Sequence, residues 1–147
     1  MKTFSLKKHS SITRDDLFQI STDIEKFVFI LPNHFKSLCI AKEYSNEKFV
    51  DEQISFLGKT VKVRTKHVII HPDIHEVYIL TGPLKGTFFI EHYDETDTGT
   101  EVTIDVSLCL NGFIRFIPFL QNIIVRRMES VFNEFLTCAE KFLKNPS

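Results

Sequence analysis

The sequence predicts an α+β fold: a curved, six- to seven-stranded antiparallel sheet wrapped around one long C-terminal helix, with two short helices after the first strand. Three observations lead there. Apolar residues recur with period two from residue 34 to 110, interrupted only by short gaps. A broad apolar stripe at helical spacing runs from Pro118 to Lys144. Between Thr13 and Pro32 lie two helix-start signals and a stop.

Residues 2–10 alternate weakly and read as a first strand. Thr13, with Asp16 three residues on, resembles a capping box that starts a short helix over Arg14–Ile20. Ser21-Thr22-Asp23 is a second cap signal, followed by Ile24, Phe27, Ile30 and Leu31 at helical spacing. Pro32 ends that helix. Strands are expected at 35–44, 47–57, 60–70, 75–81, 87–94 and 100–110. The last alternates most clearly, with Val102, Ile104, Val106, Leu108 and Leu110 on one face. Gaps this short suit hairpins, because parallel crossovers need a dozen residues or more. In the final segment Leu120, Ile124, Met128, Val131, Phe135, Ala139 and Phe142 fall on one arc, with Pro118 expected in the first turn. A helix from Pro118 to Lys144 would be about 40 Å long and needs a large curved partner.

The chain has 147 residues and 17.1 kDa. A chain of that size can bury about 70% of its unfolded surface, enough for one core, so 1–147 is expected to be a single domain. Eighteen Lys and Arg against 19 Asp and Glu give a net charge of −1, which provides no global attraction for nucleic acid. Cys39, Cys109 and Cys138 are scattered and form no CxxC pair, which argues against a structural zinc site or a disulfide framework. Lone thiols, an N-terminus without a signal peptide's apolar run and the lack of a spanning segment predict a cytoplasmic protein. No nucleophile-elbow or phosphate-loop pattern occurs, and no cofactor is called for. His67, His71 and His75 recur every four residues, but Pro72 makes the segment a hairpin, so no metal site is expected.

Order and lengths now read strand, two short helices, six strands and one long helix. This resembles the helix-grip fold of the START and birch-pollen-allergen superfamily (SRPBCC), which includes polyketide cyclases and coenzyme Q-binding proteins. The resemblance rests on Ile12–Phe27 with Leu31-Pro32, and on Gly112–Leu120 leading into the last helix. It implies an apolar cavity between sheet and helix. Members mostly bind lipids, sterols, quinones or polyketides, and a minority catalyse cyclisation or dehydration.

Fifteen Phe residues and no Trp suit a cavity for an acyl or prenyl chain, and equally a filled core. If Pro72-Asp73 is a two-residue hairpin loop, His67 sits opposite Tyr78 and Thr65 opposite Leu80. Val63, Thr65, His67 and Ile69 then face inward, away from Lys62, Arg64 and Lys66. In the next hairpin Phe88, Ile90 and His92 are expected to join Val102 and Ile104, leaving Phe89, Glu91 and Tyr93 on the outer face. Glu52, between Val50 and Ile54, is a further inward candidate. The Gly112–Leu120 run has four roles open to it: cap of the cavity mouth, transient contact with a membrane surface, contact with another subunit, or packing on the sheet edge. The expected ligand-contacting set is Thr65, His67, Tyr78, Phe88, His92, Phe116, Phe119, Ile124, Met128 and Phe135.

The reading is a domain that binds a small hydrophobic ligand such as a lipid, fatty acid, isoprenoid or quinone, with transport of that ligand a further role open to it and no catalytic residue assigned. Two alternatives stand beside it. One is a cyclase- or dehydratase-type enzyme using an inward His or Tyr as general acid–base. The other is a non-catalytic interaction module with a filled core. Oligomeric state is left open.

Overall fold

A computed structural model describes Lys2–Lys144. The strands are β1 (Lys2–Ser10), β2 (Phe35–Glu43), β3 (Glu47–Phe56), β4 (Lys59–Ile70), β5 (Ile74–Ile79), β6 (Phe88–Thr96) and β7 (Gly99–Leu108). The helices are α1 (Arg14–Thr22), α2 (Phe27–Ile30) and α3 (Leu120–Lys144), with 3-10 turns at Ile24–Lys26 and Gly112–Phe116. The seven strands form one antiparallel sheet in the order β1-β7-β6-β5-β4-β3-β2. Each hairpin lies beside its sequence neighbour, and the first strand closes on the last. Among the described residues no helix is long and apolar enough to cross a membrane.

The first cap stands as read: the Asp16 N–H donates to Thr13 Oγ1 at 3.4 Å. The second does not. The Thr22 hydroxyl donates back to the Phe18 carbonyl at 2.8 Å, so α1 continues through Thr22 and Asp23 caps nothing with its side chain. The chain then re-enters helix through the 3-10 turn Ile24–Lys26. At the other end Pro118 is not in the first turn of α3. Phe119, in the left-handed region at φ +65°, separates it from Leu120.

Two strand registers also differ from the expectation. The β4–β5 loop holds three residues, His71, Pro72 and Asp73, so that Ile70 pairs with Ile74 and His67 pairs with Val77 rather than Tyr78. Thr65 pairs with Ile79. The β6–β7 loop is Asp97-Thr98, which sets Tyr93 opposite Val102 and Glu91 opposite Ile104. Gly99 makes that turn at φ +145°, where a Cβ would stand 2.0 Å from the Ser10 carbonyl oxygen, so only glycine lets β1 and β7 meet there. A shift of one residue exchanges the two faces of a strand. β4 keeps its expected face, whereas β5 and β6 are turned over.

The concave face of the sheet carries two apolar clusters. Leu17, Phe18, Ile20, Leu31, Val102, Ile104 and Leu136 belong to one. Leu108, Ile114, Leu120 and Ile124 form the other, with Phe56 and Leu84 against it. α3 is tied down through polar pairs on its edges: Lys8 Nζ lies 3.4 Å from Glu129 Oε1 and the Ser10 hydroxyl 3.3 Å from Glu140 Oε1.

Candidate functional site

Between sheet and α3 lies a cavity of about 290 Å³. Its wall is mainly apolar. The strands contribute Leu6, Val63, Val77, Ile79, Phe89, Ile104 and Val106, and α3 contributes Met128, Val131, Phe132 and Phe135. One band of polar side chains crosses it, because β3, β4, β5 and β6 each place inward-facing positions side by side. Glu52 Oε2 lies 3.2 Å from Thr65 Oγ1, which lies 3.0 Å from His67 Nε2. His67 Nδ1 lies 2.9 Å from His75 Nε2, and His75 Nδ1 lies 2.9 Å from Glu91 Oε1. The Tyr93 hydroxyl donates to that same Glu91 oxygen at 2.5 Å.

Burial is the first cause of the shifts at Glu52, His67 and Tyr93. Loss of water pushes the Glu52 carboxyl up to about 7, against a smaller downward pull from its hydrogen bond with Thr65. Burial, then the neighbouring His75 and Lys48 charges, holds the His67 imidazole well below its ordinary value. Burial, followed by the Glu91 charge, raises the Tyr93 phenol well above its own. A second polar group sits toward the mouth. His34 Nε2 donates to Glu134 Oε2 at 2.7 Å, and Arg127 Nη2 donates to His34 Nδ1 at 2.8 Å. His34 and Arg127 both line the cavity, and Arg127 is exposed.

Of the residues expected to contact a ligand, Thr65, His67, Met128 and Phe135 line the cavity. Tyr78, Phe88 and His92 do not: the three-residue and two-residue loops place them on the outer face. There Tyr78 donates to Glu76 at 2.9 Å and stacks on Phe88 with centroids 5.7 Å apart. His92 stands 3.6 Å from Asp105. Phe116 and Phe119 are exposed, because the 3-10 turn anchors through Ile114 and leaves the flanking rings outside. Ile124 packs against Leu108 and Leu120 within the second cluster. The sequence reading gave no place in the cavity to His75, Glu91, Tyr93, His34 or Arg127. Glu91 and Tyr93 alternate with Phe89 as regularly as Phe88, Ile90 and His92 alternate with one another, so only loop length separates the faces. Among the described residues no group of three or more His, Cys, Asp or Glu is arranged to hold a metal ion.

No family model and no curated protein sequence matches the chain. Solved structures do. The Zhui aromatase/cyclase from Streptomyces sp. R1128 superposes with a TM-score of 0.82 at 14% identity, over 99% of this chain and 98% of that one. A START superfamily protein from Mycobacterium smegmatis gives 0.74 at 9% identity, over 99% of each chain. Ara h 8.0201 gives 0.74 at 16% identity, over 98% of this chain and 99% of that one. The chain also spans about half of two di-domain aromatase/cyclases, 49% and 51% of their length. Sheet order, long C-terminal helix and these superpositions together show that the chain has the helix-grip fold shared by START proteins, Ara h 8 and the aromatase/cyclases.

Proposed function

We propose that this protein is a cytoplasmic, single-domain binder of a small hydrophobic ligand, held between the sheet and α3. The observation that carries the reading is the cavity of about 290 Å³, mainly apolar, with one hydrogen-bonded band and the His34–Arg127 pair toward its mouth. Burial of an apolar chain there contributes about 25 cal/mol per Å² removed from water, and the band orients the polar end. The cavity also argues against a filled-core interaction module. Native mass spectrometry of the purified protein, with lipid extraction, tests the reading. A stoichiometric apolar adduct is expected. A clean apo mass together with no displacement of a hydrophobic dye by any lipid overturns it.

Delivery from a membrane surface fits a second set of residues. Phe113, Phe116 and Phe119 are 79%, 74% and 79% exposed, beside Ile117 and Ile123. Arg115, stacked on Phe116 at 4.7 Å, and Arg126 supply positive charge for anionic head groups. Leu57 and Phe119 are the non-glycine residues with positive φ among those described, and both are exposed. They flank Phe56 and Leu120, which share one core cluster. Large apolar side chains kept in a strained, solvent-facing conformation point to a docking role.

A second reading, acid–base catalysis on the bound molecule, is favoured by the band itself. A proton leaving Glu52 can be matched by one arriving at His75 if Thr65 and His67 each reverse their hydrogen bonds. Turnover that survives in Tyr78→Phe but not in His67→Gln or His75→Gln supports this reading; binding without turnover of any bound lipid disfavours it.

A further inference from the structure

The band in the cavity wall constrains what it can recognise, given that the cavity is a ligand site. Contacts link Glu52 to Thr65, Thr65 to His67, His67 to His75, and His75 to Glu91. Each contact needs one hydrogen between its two heavy atoms. With both carboxyls ionised and both imidazoles neutral, the groups carry three such hydrogens: one on the Thr65 hydroxyl and one on each ring. The four contacts therefore absorb all three and call for one more proton. Wherever that proton sits, on Glu52, either ring or Glu91, it is taken up by a contact. The Tyr93 hydroxyl is taken up as well, by Glu91.

No hydrogen-bond donor of the band is left for a ligand. What remains toward the cavity is acceptor capacity on carboxyl oxygens: Glu52 uses one oxygen for Thr65, and Glu91 receives both His75 and Tyr93 on Oε1. The groups that set the charge around this band are Lys48 and His75 beside His67, His75 and Tyr93 beside Glu91, and the Glu134–His34–Arg127 set from α2–β2 and α3. Arg127, which donates to His34, is the cation among them that lines the cavity, and it is exposed.

We propose that the cavity selects an uncharged apolar alcohol or phenol, whose single hydroxyl hydrogen is donated to the free oxygen of Glu52. A carboxylate would meet the carboxyls of Glu52 and Glu91, and neither it nor a ketone or ester would find a free donor in the band; the Ser21 hydroxyl, which also lines the cavity, is bonded to Tyr93. The raised Glu52 carboxyl agrees with a wall that holds an extra proton.

The test is displacement of a hydrophobic dye from the purified protein by dodecanol, dodecanoate and methyl dodecanoate at pH 8. Dodecanol is expected to bind at least about tenfold tighter than the other two, the value of one buried hydrogen bond. Glu52→Gln keeps that preference, because its amide N–H₂ donates to Thr65 and its carbonyl still accepts from the ligand. Glu52→Leu removes the preference, bringing dodecanol down to the level of the ester. Equal binding of all three probes overturns the proposal and leaves the cavity reading intact. Preference for dodecanoate that is lost in Arg127→Ala also overturns it, and assigns recognition to the mouth. Binding of none of the probes overturns the cavity reading and this proposal together.

Discussion

His67 Nδ1 and His75 Nε2 lie 2.9 Å apart on adjacent strands, their rings stacked at 24° with centroids separated by 5.1 Å. Both side chains are buried. One ring must donate and the other accept, so the pair has a single shared hydrogen. His75 also donates to Glu91 or takes its proton, and His67 meets Thr65. Neither ring can be replaced without leaving two buried polar groups unmatched.

His75→Leu is therefore expected to destabilise the fold by about 2–3 kcal/mol. Tyr78→Phe, on the outer face, should stay within about 0.5 kcal/mol. Urea unfolding of the two variants checks both. Equal costs would contradict the register in which His67 faces Val77.

Glu52 makes stability depend on pH. Its folded-state value, about 7, lies above the ordinary 4.5, so the folded protein binds the proton more tightly than the unfolded chain. Stability then falls as pH rises from about 4.5 through 7, by about 3 kcal/mol from this group. His67 has the opposite sign: its depressed value makes stability rise as pH climbs toward 6.5. Subtracting the profile of Glu52→Gln from that of the wild type isolates the Glu52 term. A flat difference between pH 4.5 and 8 would show that the carboxyl is not buried as described.

Val77 faces the cavity opposite His67. Val77→Phe should fill the space, weaken binding of an apolar ligand at least about tenfold, and cost little stability. In a close-packed core the same change would cost about 1–3 kcal/mol. Thermal melting, run beside dye titration, distinguishes a cavity from a solid interior.

The exposed rings test separately. Combining Phe113→Ser, Phe116→Ser and Phe119→Asn should abolish binding to vesicles of anionic phospholipid while leaving ligand affinity in solution unchanged. Asn is chosen at 119 because it tolerates the positive φ there. Leu57→Asn should also stabilise the β3–β4 turn by about 0.5–1 kcal/mol, since Leu57 and Gly58 both have positive φ. Unchanged vesicle co-sedimentation of the triple variant would remove the membrane reading.

Element order, the Thr13 cap, the inward face of β4 and the apolar stripe of α3 are local properties, set by periodicity and capping chemistry within one segment. Amino-acid order therefore determined them, and with them the helix-grip fold. The fate of Tyr78, His92, Glu91 and Tyr93 is not local. β5 and β6 mix apolar and polar residues on both faces, so their alternation is equally consistent with either orientation. Two loops decide it: His71-Pro72-Asp73, one residue longer than the sequence suggested, and Asp97-Thr98, closed by Gly99 against Ser10. Tertiary structure alone made the band, because its members come from four strands and meet only when every register is fixed at once. Side-chain period is two, so a single residue of loop length decides whether a polar group faces water or lines the cavity.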